Sequence, residues 1–226
     1  MPSSPELRKE PCIAFIVDMV KSRALPSNER PQVQTRFQDL VNHLNKKYPK
    51  QILSRFVITL GDEFQGLLRS AISIPDIISD MEEIFPDRVL RVGVGFGLLY
   101  TPVPKQAINV DGPALHNARS AIEKAKDKNL LGGVFEGFGD LDKILNGITR
   151  ILWFHRSQLT SHQRTFFTML LAGDSQTEIA HARNISRQAV SKQVMSAGWQ
   201  PYMECEAAWR LVLQKYVEPM IGDSHL

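Results

Sequence analysis

Two carboxylates stand where apolar runs end. Asp18 closes Cys12-Ile-Ala-Phe-Ile-Val-Asp18, and Asp62 lies in Leu60-Gly61-Asp62-Glu63, between two apolar stretches. A carboxylate that ends a buried strand sits at a sheet edge, where ligands gather. If the two strands are neighbours, both carboxylates face one point and can hold Mg²⁺, an ion that takes one or two carboxylates and completes its shell with phosphate oxygens. On spacing alone, a capping Asp and a turn Asp fit the same two positions equally well. The loop that follows the first run, Met19, Val20, Lys21, Ser22 and Arg23, is placed to offer backbone N–H groups to phosphates.

A second chemistry lies between Leu159 and Trp199. Thr160 or Ser161 caps a helix with an apolar face of Phe166, Phe167, Leu170 and Leu171, and Gly173 stops it. A short helix follows over Gln176–Ala182, with Ile179 and Ala180 inward. Asn184 takes a left-handed turn, and Ser186 caps the next helix, with Ala189, Val190 and Val194 inward. Two short helices across a tight turn are the makings of a helix-turn-helix, here 176–196. The residues offered to DNA are Ser186, Arg187, Gln188, Ser191, Lys192 and Gln193. Arg, Gln and Ser can read base edges, and Lys and Arg neutralise phosphates. Charge supports the reading. From Arg150 to Gln200 the bases are Arg150, Arg156, Arg164, Arg183, Arg187 and Lys192, against Asp174 and Glu178.

The elements that must position these groups follow from periodicity. Cys12–Asp18 is a continuous apolar run, hence a buried strand. Val33, Phe37, Leu40, Val41 and Leu44 recur at helical spacing within 32–48. ILSRFVITLGDEFQGLL reads as two strands with a tight turn at Gly61-Asp62. Pro75 opens a helix to about Phe85, VLRVGVGFGLLY is a strand too rich in Gly for a helix, and Asp111-Gly-Pro starts a helix to about Lys126. LLGGVFEGFGD closes this half with a short strand or loop, and a composition shift near Gly137–Gly139 marks the boundary. The expected domains are 1–139, with 1–11 as a loose arm, and 140–226. The first is an α+β sheet with helices on one face, and the second is all-α. Its last helix, Tyr202–Tyr216, carries Ala208, Leu211, Val212 and Lys215 at helical spacing.

Composition bounds the alternatives. The 226 residues, 43% hydrophobic and 23% charged, exclude a disordered or fibrous chain. No apolar run reaches the ~20 residues of a bilayer span. MPSSPELRKEPC has no apolar core and predicts no signal peptide. Cys12 and Cys205 exclude a disulfide framework and point to a cytoplasmic setting. Gly93-x-Gly95-x-Gly97 is no dinucleotide fingerprint, since Leu98 stands where a third spaced Gly belongs and no helix follows. The six histidines lack metal spacing, His116 reads as a satisfied surface residue, and Trp153, Phe154, Phe166 and Phe167 read as core.

The motifs carry a family resemblance. FIVDMVKSR resembles the first-strand metal motif of class III nucleotide cyclases, and LGDEF resembles both their second metal Asp and the GGDEF signature of diguanylate cyclases. LRVGVGFGLLYT is similar to the Arg-hydrophobic-Gly strand of class III cyclases, and DGPALHNARSAIEKAK to their helix bearing the transition-state Arg. SRQAVSKQV resembles the recognition helix of sigma-factor and response-regulator activators. Taken nearly end to end, the chain resembles the SatD family, a cyclase-type domain with a helical tail. The resemblance implies a ferredoxin-like, nucleotide cyclase-like fold. It implies a metal site of Asp18, Asp62 and Glu63, with Arg119 as the phosphate-stabilising or catalytic cation. Leu115 stands where class III enzymes place an Asn one turn before that Arg, and Asn117, the nearest amide, points to another face.

These readings converge on a nucleotide-responsive, DNA-binding transcriptional regulator. The expected partners are a purine nucleotide with Mg²⁺ or Mn²⁺, double-stranded DNA and a second copy of the chain as a homodimer, with no membrane. The alternative is an active nucleotidyl cyclase with a helix-turn-helix tail.

Overall fold

The computed structural model describes residues 11–22, 25–85, 90–130 and 132–222. Arg23 and nearly all of the expected N-terminal arm lie outside them. The chain runs β1 (Pro11–Met19), α1 (Arg30–Lys47), β2 (Ile52–Leu60), β3 (Glu63–Leu68), α2 (Ile74–Ile84), β4 (Leu90–Leu98), α3 (Pro113–Asp127) and β5 (Gly132–Glu136). All helices then follow: α4 (Leu141–Gln158), α5 (Ser161–Leu171), α6 (Gln176–Arg183), α7 (Arg187–Ser196) and α8 (Trp199–Val212). A π-helical turn, Leu213–Val217, leads into α9 (Glu218–Gly222). The sheet order is β2-β3-β1-β4-β5. The first four strands pair antiparallel in the split βαβ arrangement, and β5 adds parallel to β4.

Helices cover both faces of the sheet, which corrects the one-sided expectation. On one face Phe15 of β1, Phe56 of β2 and Phe64 of β3 meet edge-on, and Phe37 of α1 joins Phe64 to Phe85 at the end of α2. On the other, Cys12, Ala14 and Ile16 of β1 pack with Ala114, Leu115, Ala118 and Ile122 of α3. A strand covered twice has no polar side, which is why Cys12–Val17 reads as one unbroken apolar run.

The glycines of β4 bring α3 this close. A Cβ on Gly95 would lie 2.1 Å from the Ala118 nitrogen and 2.3 Å from the Ala114 carbonyl oxygen. One on Gly93 would lie 2.4 Å from the Ala118 oxygen. The Gly-x-Gly-x-Gly motif is therefore a backbone-to-backbone seat for a helix.

The chain divides into two compact units. The first runs to Gly147 and resumes at Arg210, and the second is Ile148–Trp209. The expected boundary lies at residue 139, with the whole C-terminus in the second domain, whereas this division carries the first unit to Gly147 and returns the chain from Arg210 onward to it. The reason is local. Arg210 donates to Asp76 at 2.8 Å, and Glu218 accepts from Ser70 Oγ at 3.2 Å and from the Ala71 amide. The C-terminal stripe is also corrected. Tyr202, Glu206, Trp209, Leu213 and Val217 are buried, whereas Ala208, Leu211 and Lys215 are exposed and Val212 only half-buried.

In the second unit, Phe166, Ile179, Ala180, Val190 and Val194 form a core shared by α5, α6 and α7. Phe167 is buried beside His155, Trp199 and Tyr202. Phe154, expected in a core, is exposed. No helix among the described residues is long and apolar enough to cross a membrane.

Candidate functional site

Strand register sets the site. Asp18 lies opposite Glu63 on β3 and opposite Arg91 on β4. Side chains directly opposed in a ladder share a face, so the three residues form a row across three strands. That face is the one α3 covers, and α3 lowers Arg119 and Lys126, two turns apart, onto the row.

Glu63, only 3% exposed, receives the Arg119 fork in full: Nη1 to Oε2 at 2.6 Å and Nη2 to Oε1 at 2.8 Å. Thr59 Oγ1 donates to Oε1 at 3.2 Å. Asp18, 7% exposed, is held less closely, with Lys126 Nζ at 3.5 Å and Arg91 Nη1 at 3.6 Å from Oδ2. Arg91 Nη2 donates to Asn129, while its buried Nε has no hydrogen-bond partner. Burial is the main reason the Asp18 carboxyl titrates above its usual range. The Asp62 charge pushes the same way, and Lys126 and Arg91 oppose it. The Arg119 guanidinium is held charged above its ordinary value, chiefly by its hydrogen bonds to Glu63.

Asp62 sits in the β2–β3 turn, where the sequence predicts it. Its carbonyl accepts the Met19 amide at 3.1 Å, and its carboxylate accepts the Ser22 hydroxyl. The turn and the loop after β1 are therefore tied together. Met19 is buried and its N–H is engaged by Asp62, so this amide is not turned toward a ligand. Val20 is half-buried, and Lys21 is exposed in the left-handed region at φ 58°.

Among the described residues no group of three or more His, Cys, Asp or Glu is arranged to hold a metal ion. A divalent ion at this edge would be held by Asp18 and Asp62, and it would relieve the repulsion by which the Asp62 charge helps raise the Asp18 carboxyl. Glu63, grouped with them in the sequence reading, has both oxygens on Arg119. Bound there with a nucleotide, a divalent ion would neutralise phosphate charge. Arg119 is itself engaged by Glu63, with its side chain 40% exposed. The sequence reading missed Lys126 and Arg91. The seven-residue spacing from Arg119 to Lys126 is a signal that could have found the first.

Leu115 is buried in the core beneath α3. Asn117 donates its amide to the Phe96 carbonyl at 2.8 Å, which fixes α3 to β4 and turns that amide away from Glu63 and Arg119. His116 bonds Asp111 at 2.8 Å on the surface.

In the second unit, Ser175 and Glu178 form a capping box at the start of α6, and Thr160 and Gln163 form one at α5. Asn184 ends α6 at φ 53°, ψ 46°, and Ser186 caps α7 by accepting from the Ala189 amide at 3.1 Å. Arg187, Gln188, Lys192 and Gln193 are exposed, and Ser191 is half-buried. Val190 and Val194 are buried, whereas Ala189, expected inward, is exposed.

The chain matches the SatD family over residues 12–212. It belongs to the SatD family. No curated protein sequence matches this SatD-family chain. Among solved structures it is similar to the catalytic core of a rhodopsin-guanylyl cyclase with converted specificity, in complex with ATPαS, at 14% identity and a TM-score of 0.41, covering 51% of this chain and 72% of that one. It is also similar to a bacterial light-regulated adenylyl cyclase, at 13% identity and a TM-score of 0.42, covering 57% of this chain and 77% of that one.

Proposed function

We propose that this SatD-family chain is a nucleotide-responsive, DNA-binding transcriptional regulator that acts as a homodimer in the cytoplasm. The first unit binds a purine nucleotide with Mg²⁺ or Mn²⁺ at Asp18 and Asp62, with the loop from Val20 to Arg23 and the cations Arg119, Lys126 and Arg91 on its phosphates. The second unit binds double-stranded DNA through α7. The observation that carries this reading is the build of α6 and α7. A left-handed Asn184 separates two short capped helices, and the second buries Val190 and Val194 while it exposes Arg187, Gln188 and Lys192. Those exposed side chains suit base edges and phosphates.

The nucleotide half is supported by its buried carboxylates facing protein cations, an arrangement that suits a metal-bound phosphate. Turnover is expected to be absent or slow, because Leu115 is core and Asn117 is engaged by β4. A gel shift on the DNA upstream of its own coding region, with and without ATP or GTP and Mg²⁺, tests the proposal. Nucleotide-dependent retardation supports it. No retardation on any duplex removes the regulator reading. Robust product from labelled ATP or GTP establishes the cyclase alternative.

A further inference from the structure

We propose that Glu63 occupies Arg119 as an internal stand-in for phosphate, 2.6 and 2.8 Å across the fork, so that the site admits a metal-bound polyphosphate and discriminates against the free anion. This rests on the nucleotide-binding reading and names the ligand form it selects. A guanidinium fork meets a carboxylate and a phosphate with the same bidentate geometry, so the two compete for one donor face. The partners are not equally mobile. Glu63 is fixed on a buried strand and also held by Thr59, whereas Arg119 reaches down from α3 with much of its length in solvent. A competing phosphate therefore draws Arg119 outward and leaves Glu63 behind.

The carboxylate left behind sets the selectivity. A buried carboxylate stripped of its partner is strongly unfavourable, and Asp18 stands opposite it in the ladder. A free polyphosphate takes the cation and brings nothing to Glu63. A metal-bound polyphosphate brings a cation to the same row as it takes one away. Partner exchange is then balanced only for the metal complex.

The test is calorimetric titration of ATP, GTP and inorganic tripolyphosphate into the parent protein, Glu63→Gln and the Glu63→Gln/Arg119→Ala double variant. Each is run in Mg²⁺ and in EDTA, with circular dichroism to confirm folding. The Glu63→Gln change keeps the side-chain shape but removes the charge that holds the fork. The expected result is a parent that binds only with Mg²⁺, and a Glu63→Gln variant that binds the metal-free anions roughly tenfold or more tighter than the parent does. The double variant loses that gain. A parent that binds with Mg²⁺ beside a folded Glu63→Gln protein with no metal-free gain overturns the proposal and leaves the nucleotide reading standing. Parent binding that is as tight in EDTA as in Mg²⁺ also overturns it. If neither protein binds any of the three ligands in either buffer, the nucleotide reading fails and this inference fails with it. Should Glu63→Gln not fold, Glu63→Asp supplies the second route. Its shorter arm cannot keep both contacts to the Arg119 fork, which stays intact for a phosphate, so metal-free tripolyphosphate should bind more tightly than to the parent, and unchanged or weaker binding overturns the proposal.

Discussion

Asp18 and Glu63 face each other directly across the β1–β3 ladder, both nearly closed to solvent. Like charges at opposed positions repel, and burial adds to the penalty. The fold tolerates the pair because α3 and β4 bring Arg119, Lys126 and Arg91 onto the same row. The compensation is uneven. Glu63 has short, bidentate partners, and Asp18 has only distant ones. Asp18 is therefore the residue whose ionisation still opposes folding.

Its pH dependence follows. The Asp18 carboxyl is raised above the ordinary 3.8 by burial first and by Asp62 second. In the window above 3.8 the folded state then holds a proton that the unfolded state has released. This contribution favours folding at low pH and is lost as pH rises through the raised folded value. Asp18→Asn should have a higher melting temperature than the parent near neutral pH, and the advantage should shrink as pH falls toward about 4. Thermal melts of both proteins across that range check it. An advantage that grows on acidification would contradict the burial argument.

The seat of α3 gives a stability prediction. Gly95→Ala places a methyl against backbone atoms of α3 at 2.1 and 2.3 Å, which no side-chain rotation can relieve. Overpacking of this kind costs about 1–3 kcal/mol or more. Because α3 carries Arg119 and Lys126, ligand-dependent stabilisation should fall with it. Gly61→Ala is the control, since nothing lies within 4 Å of its Cβ and its effect should stay within about 0.5 kcal/mol. Urea unfolding of the two variants separates a packing seat from a general intolerance of glycine substitution.

The β2–β3 turn at Gly61-Asp62, the left-handed Asn184 and the Ser186 cap are legible in the sequence, because they rest on residue types whose local chemistry is self-contained. What depends on long-range packing is not. The apolar run of β1 demanded cover on two faces, and the glycines of β4 showed which element supplied the second cover, but only together. Apolar periodicity does not reveal the C-terminal stripe, because its buried positions include Tyr202, Glu206 and Trp209, which carry polar atoms, while the apolar Leu211 faces solvent. Lys126 and Arg91 escape a local reading because their partner, Asp18, is more than seventy residues from either.

Catalytic capacity is predicted to be low. In this chain Leu115 is core and Asn117 holds the Phe96 carbonyl, so the α3 face offers no amide donor beside Arg119. Loss of one donor to developing negative charge typically costs ~10²–10³ in rate. Incubation with labelled ATP or GTP and Mn²⁺ should yield little or no cyclic product. A robust rate would show that another group supplies the missing donor.

The α7 surface gives the sharpest test of the regulator reading. Arg187 and Gln188 lie at the capped N-terminal end of α7, the end that contacts base edges in helix-turn-helix proteins. Lys192 lies further along, exposed, where a phosphate contact is expected. None of the three belongs to the Phe166, Ile179, Val190 and Val194 core, so alanine variants should fold like the parent. Arg187→Ala and Gln188→Ala should each lose ~1–3 kcal/mol on the cognate duplex and relax discrimination at one position. Lys192→Ala should weaken cognate and random duplex alike and reduce the salt slope by about one unit. Ser186→Ala differs from all three. It removes the cap on the Ala189 amide, so it should cost about 0.5–2 kcal/mol of stability before any effect on DNA. Titrations at two salt concentrations, beside melts of each variant, separate these outcomes. Three folded alanine variants that bind both duplexes like the parent would show that α7 does not read DNA.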